Sequence, residues 1–147
     1  MYRNIVLAYD GSDSGQRALL DCQEIGQWSQ AQLHLIAVMA PLAPVLAGEA
    51  WAYGPAPEEI DAEKARYQSV LDAGVNRLRA AGLEVRGEVV TGHSVDEIVR
   101  FANANQADLI VVGHKHLKSW AARWWRGSVS KSLIEFAPCS VLVVITP

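Results

Sequence analysis

The chain has 147 residues, half of them hydrophobic, and a formal net charge of −3. That length is expected to form one domain spanning 1–147, burying roughly two thirds of the surface its unfolded form exposes. The apolar runs are too short and interrupted for a bilayer span of about 20 residues, and the acidic balance argues against a general nucleic-acid binder.

In chain order, Asn4 to Tyr9 reads as an apolar strand that the chain enters directly, with no cleavable signal expected ahead of it. Asp13 to Trp28 carries apolar residues at helical spacing, among them Ala18, Leu19, Cys22 and Ile25. Leu33 to Met39 is a second strand. Between Ala40 and Pro57 stand Pro41, Pro44, Pro55 and Pro57 among Ala and Gly, the pattern of a long loop; its Trp51 and Tyr53 suit either a pocket cover or plain surface packing. A long helix from about Glu58 to Ala81 follows, with Ile60, Tyr67, Val70, Leu71, Val75 and Leu78 on its apolar side and Gly82 placed to end it. Val85 to Val90 is the third strand, Ser94 to Asn105 the third helix, and Leu109 to Val112 the fourth strand. The last two elements are a helix from Ser128 to Phe136 and a strand from Val141 to Ile145.

Strands alternating with helices imply a mainly parallel sheet covered on both faces. In such a sheet ligands bind beyond the carboxyl ends of the strands where the strand order reverses. With the order 3-2-1-4-5, the loop Asp10-Gly11-Ser12-Asp13 and the chain from Gly113 onward face each other across that point. A strand ending in Gly113, a basic loop, and Gly127-Ser128 opening a helix have the parts of a phosphate cradle, because glycine permits close backbone approach and first-turn amides attract anions. The same spacing also fits a plain strand–loop–helix connection with Ser128 as the cap. The loop between them holds Lys115, Lys118, Arg123 and Arg126 with Trp120, Trp124 and Trp125. It suits a phosphate-facing lid as well as an amphipathic turn with snorkelling charges. Cys22 and Cys139 lack metal-ligand spacing and read as thiols in a reducing cytoplasm.

The order of these pieces resembles the universal stress proteins, an adenine-nucleotide-binding α/β group. The resemblance rests on Asn4-Ile-Val-Leu-Ala-Tyr-Asp-Gly-Ser12, Gly92-His-Ser-Val-Asp-Glu-Ile-Val99 and Ala107-Asp-Leu-Ile-Val-Val-Gly113, then Gly127-Ser-Val-Ser130 and Ala137-Pro-Cys-Ser-Val-Leu-Val-Val144. It implies a Rossmann-like α/β domain of five parallel strands that holds ATP or AMP, with Mg carried on the nucleotide. By position it places Asp10 at the ribose and the metal, Tyr9 beside the nucleoside and Val38 at the adenine. Gly113, His116, Gly127, Ser128, Val129 and Ser130 fall on the phosphate and ribose cradle. The ATP-binding branch has a second glycine where His116 stands and nine residues before the final Gly, whereas ten separate His116 from Gly127 here. That imidazole either obstructs a phosphate or donates to it; His114 and His116 also read as exposed loop histidines, and Asp10 as a turn-stabilising residue.

The resemblance further implies a cytoplasmic homodimer paired through the last strand, 141–145, signalling to a regulatory protein partner, without nucleic acid or membrane. Neither a Walker Gly-Lys-Ser/Thr nor a Cys-x-x-Cys or His-Glu-x-x-His motif occurs, so at most slow ATP hydrolysis is expected. Two alternatives stand beside this reading. One is a dimeric interaction protein without nucleotide; the other is an ATP-pyrophosphatase-like enzyme, suggested by Asp10-Gly-Ser-Asp-Ser-Gly15 although the loop lacks paired glycines.

Overall fold

The structure, a computed structural model, describes residues 1–42, 54–115 and 129–147. In order the elements are β1 (Asn4–Ala8), α1 (Asp13–Ser29), β2 (Gln32–Met39), α2 (Pro57–Ala80) and β3 (Val85–Thr91). Then come α3 (Ser94–Ala104), β4 (Leu109–Lys115), α4 (Val129–Phe136) and β5 (Ser140–Thr146). All the strand pairs are parallel, in the order β3-β2-β1-β4-β5. The expected α/β fold with helices on both faces is therefore the observed one.

Strand alternation sorts the core into two layers. Ile5 and Leu7 of β1, Leu33 and Leu35 of β2, and Leu109 and Val111 of β4 pack under α1 and α2, against Leu19, Cys22, Leu71 and Leu78. Val6, Ile36, Ile110 and Val112 face the other way, against Ile98, Phe101 and Ala102 of α3 and Leu133 of α4. The Asp108 carboxylate ties the lower ends together, accepting from the backbone amides of Arg3 at 2.8 Å and Asn4 at 3.1 Å. Among the described residues no helix is long and apolar enough to cross a membrane.

Two features depart from the sequence expectation. First, β4 does not end at Gly113: it runs on through His114 and Lys115, because β5 supplies Val144, Ile145 and Thr146 as partners. Second, Ile60 is exposed at the start of α2. A helix of 24 residues is about 36 Å long, whereas the eight residues of β2 span only about 26 Å, so the first turns overhang the sheet. His34 of β2 is 4 % exposed in the α3 layer, edge-on to Phe101, and its Nε2 has no hydrogen-bond partner among the described residues. Burial lowers its pKa, Arg86 beside it on β3 lowers it further, and Glu84 opposes.

Candidate functional site

A cavity of about 470 Å³ opens beyond the carboxyl ends of β1, β2 and β4. This is where the strand order reverses, β1 pairing β2 on one side and β4 on the other. Its apolar walls are Ala8, Ile36, Val38, Val112 and, from α3, Ile98. Those strand residues are every second one along the α3 and α4 side of the sheet. Its polar lining residues are Asp10, Ser94, His114, Lys115 and Ser130. Such a lining, apolar side chains with a few polar groups among them, suits a ligand with an apolar part and a polar or anionic part.

The β1–α1 turn is closed by its own side chains. Ser12 caps α1, its Oγ accepting from the Gly15 amide at 3.1 Å while donating to Asp10 Oδ1 at 2.6 Å. The Ser12 amide donates to the same Oδ1 at 3.0 Å. Asp10 thus makes the turn-stabilising contacts through one carboxylate oxygen and still lines the cavity. A side chain at Gly15 would place its Cβ 2.5 Å from that oxygen. Because the Gly15 amide is already bonded, this turn has lost part of the open amide nest that a pyrophosphate-binding loop presents.

Gly113 serves α1 as well. A Cβ there would strike the Ser14 backbone carbonyl and lie 2.8 Å from the Gly15 nitrogen. Gly113 therefore lets the start of α1 sit against β4, which in turn sets the position of Asp10 and Ser12. Tyr9 belongs to both sides of the sheet: it lines the cavity, while its ring packs against Gly74 of α2. Its hydroxyl accepts from Gln16 Nε2 at 2.6 Å. Burial raises the phenol pKa, partly offset by that bond and reinforced by the nearby Asp10 charge.

Val129 and Ser130, which open α4, also line the cavity. Ser130, 8 % exposed, lies with its Oγ 3.2 Å from Nδ1 of His114 on β4. Of the residues expected from the sequence, Tyr9, Asp10, Val38, Gly113, Val129 and Ser130 are brought together around the cavity. His116, Gly127 and Ser128 lie outside the described residues. Ser94 and Ile98 line it without any sequence signal that singles them out; His114, which reads as an exposed loop histidine, and Lys115, which the sequence offers for a phosphate-facing lid, line it from the end of β4. Among the described residues no group of three or more His, Cys, Asp or Glu could hold a metal ion.

A family model described as the Universal stress protein family matches residues 1–144. The chain belongs to that family. It is 32 % identical, over 98 % of its own length and 99 % of the relative's, to the universal stress protein in the QAH/OAS sulfhydrylase 3′ region of Thermus aquaticus. Among solved structures it is similar to a universal stress protein in complex with cAMP, at 28 % identity and a TM-score of 0.72, covering 99 % of this chain and 98 % of that one. The family's UspA from Lactobacillus plantarum matches with a TM-score of 0.76 at 25 % identity, covering 97 % of each chain.

Proposed function

We propose that this protein binds an adenine nucleotide, ATP or AMP, in the cavity at the β1–β4 crossover, and that occupancy is what it communicates to a regulatory protein partner. The observation that carries this is the two-part lining. Val38, Ile36, Ile98 and Val112 form a slot for an apolar ring, while Asp10, His114, Lys115 and Ser130 surround it with polar and charged groups. The family member crystallised with cAMP, similar over almost the full length, supports an adenine nucleotide as the ligand class.

In this reading Val38 meets the base, Tyr9 flanks the nucleoside through its backbone, and Asp10 faces the ribose and any Mg on the phosphates. Gly113, Val129 and Ser130 line the phosphate end, and His116, Gly127 and Ser128 belong to the same cradle. The role is binding rather than rapid turnover. The protein works as a single universal-stress-type domain in the cytoplasm, where Cys22 and Cys139, both free, remain reduced. It pairs as a homodimer through β5, an edge strand whose Ile145 is exposed; an unprotected apolar edge is a liability that pairing removes.

Calorimetric titration of ATP, AMP and cAMP into the wild type and into Asp10→Asn tests the site. The amide can still accept from Ser12 through its oxygen, so the fold should be kept while affinity for Mg-ATP falls. Absence of binding by all three nucleotides to folded wild-type protein would refute the reading.

A further inference from the structure

His34 and Phe101 meet at one end of a seam between β2 and α3 whose other end walls the cavity. Along β2, His34, Ile36 and Val38 share one face, as alternate residues of a strand do. Along α3, Ser94, Ile98 and Phe101 fall on one helix face at spacings of four and three. Val38, Ile36, Ser94 and Ile98 line the cavity, while Phe101 packs edge-on against His34 with ring centroids 6.4 Å apart. Among the described residues no side-chain hydrogen bond joins α3 to another element, so apolar packing holds the helix to the sheet. The imidazole has Val6 beside it on β1, Arg86 beside it on β3 and Phe101 above it on α3, with Glu84 just ahead of β3. The Glu84 carboxylate accepts from Gln32 Nε2, and the charged α3 residues nearest Phe101, Glu97 and Arg100, pair with each other.

An imidazolium carries two N–H donors and a full charge. With α3 seated, Nε2 is shielded from water without an acceptor among the described residues, and Arg86 is a like charge. Charging the ring there is costly, whereas charging a hydrated ring is not. Water reaches Nε2 when α3 lifts off the sheet, and Ser94 and Ile98 then leave the cavity wall with it. Resting on the nucleotide reading above, we infer that the His34–Phe101 contact is a proton-sensitive latch: a proton on His34 favours the lifted α3, and a nucleotide in the cavity favours the seated one. The two sites lie about 13 Å apart along β2, the rise of four strand residues. By reciprocity, a bound nucleotide drives the proton off His34.

Two measurements on the full-length protein test the latch. Hydrogen exchange without ligand, corrected for intrinsic rates, reads the lifting of α3 as loss of amide protection from Ile98 to Ala102. Because a hydrated His34 has an ordinary pKa of about 6.5, that protection should fall by up to about five-fold between about pH 6.5 and about pH 5.5. It should stay flat in His34→Leu and in His34→Gln. The amides of β1 should be more protected than those of α3 throughout, since α3 lifts without global unfolding. Flat protection in the wild type, or equal protection of α3 and β1, would overturn the latch. Ring-proton NMR, with His34 assigned by its absence in the variants, reads the coupling. Cyclic AMP is the probe, because its phosphodiester does not titrate in this range. At about 100 times its Kd it should lower the His34 pKa by up to about two pH units, the most that binding to one state alone allows. Its negative charge acting through space would raise that pKa instead. An unchanged or raised pKa with cAMP bound would refute the coupling. Failure to bind cAMP, with α3 protection still falling in acid, would overturn the nucleotide reading instead and uphold the proton-driven lifting of α3.

Discussion

Gly113→Ala separates two explanations of the same glycine, one as room for a phosphate and the other as room for α1. The added Cβ would stand 2.8 Å from the Gly15 nitrogen and closer still to the Ser14 carbonyl, whereas ordinary contacts begin near 3.4 Å, so α1 must withdraw by at least 3.4 − 2.8 = 0.6 Å. The atoms it meets are backbone, and α1 is anchored by Ala18, Leu19 and Cys22, each at most 1 % exposed. Overpacking of this kind costs about 1–3 kcal/mol, and a rigid backbone neighbour points to the upper end. The lower unfolded-state entropy of alanine offsets about a third of this, ~0.4–1 kcal/mol; the φ of Gly113 is not positive, so no further strain enters. A net loss of about 2 kcal/mol should lower the urea midpoint by about 1 M, taking a slope of about 2 kcal/mol per molar. Far-UV circular dichroism during urea titration, with AMP binding measured in parallel, reads both effects. An unchanged midpoint with lost binding would refute the packing argument and return the glycine to the ligand alone.

Three further outcomes are expected. His34 has its pKa lowered in the folded state, so the unfolded chain binds more protons below the ordinary histidine pKa of about 6.5. Its contribution to stability is therefore complete above that pH and is lost as pH falls below it, levelling off under the folded pKa. Urea midpoints between pH 7.5 and 5, taken as order-of-magnitude settings across the histidine range, should fall more steeply for wild type than for His34→Leu; parallel curves would show that the imidazole is solvated. Ile145→Lys, at an exposed position of the edge strand, should leave the monomer folded but shift sedimentation equilibrium from dimer to monomer, and a wild type that sediments as a monomer would remove β5 as the pairing edge. Leu71→Ala, at a fully buried position between α2 and the sheet, should cost about 2–5 kcal/mol in unfolding free energy, and a loss under 1 kcal/mol would mean that α2 packs loosely there.

Much of this architecture follows from local signals. Near-continuous apolar runs such as Leu33 to Met39, buried on both faces of the sheet, and the helical spacing of Ala18, Leu19 and Cys22 place the elements to within a few residues, since burial of apolar side chains is the main drive to fold. The Gly82 position is local as well: its φ of +83° is a conformation that glycine adopts cheaply at a helix end. The ordered motifs from Asn4 to Val144 are also carried by the sequence alone, and they point to the family without any tertiary contact. Other facts depend on partners distant in the chain. The extension of β4 through Lys115 needs the edge of β5, and Gly113 is explained by the Ser14 backbone, 99 residues away. Tyr9 is called to the α2 side by the gap at Gly74, while His34 is buried by Phe101. The Ser130–His114 bond exists only because α4 closes over the sheet. Periodicity specifies which face of an element is apolar; which atoms meet there is decided when distant elements pack to close contact, and no local pattern encodes that distance.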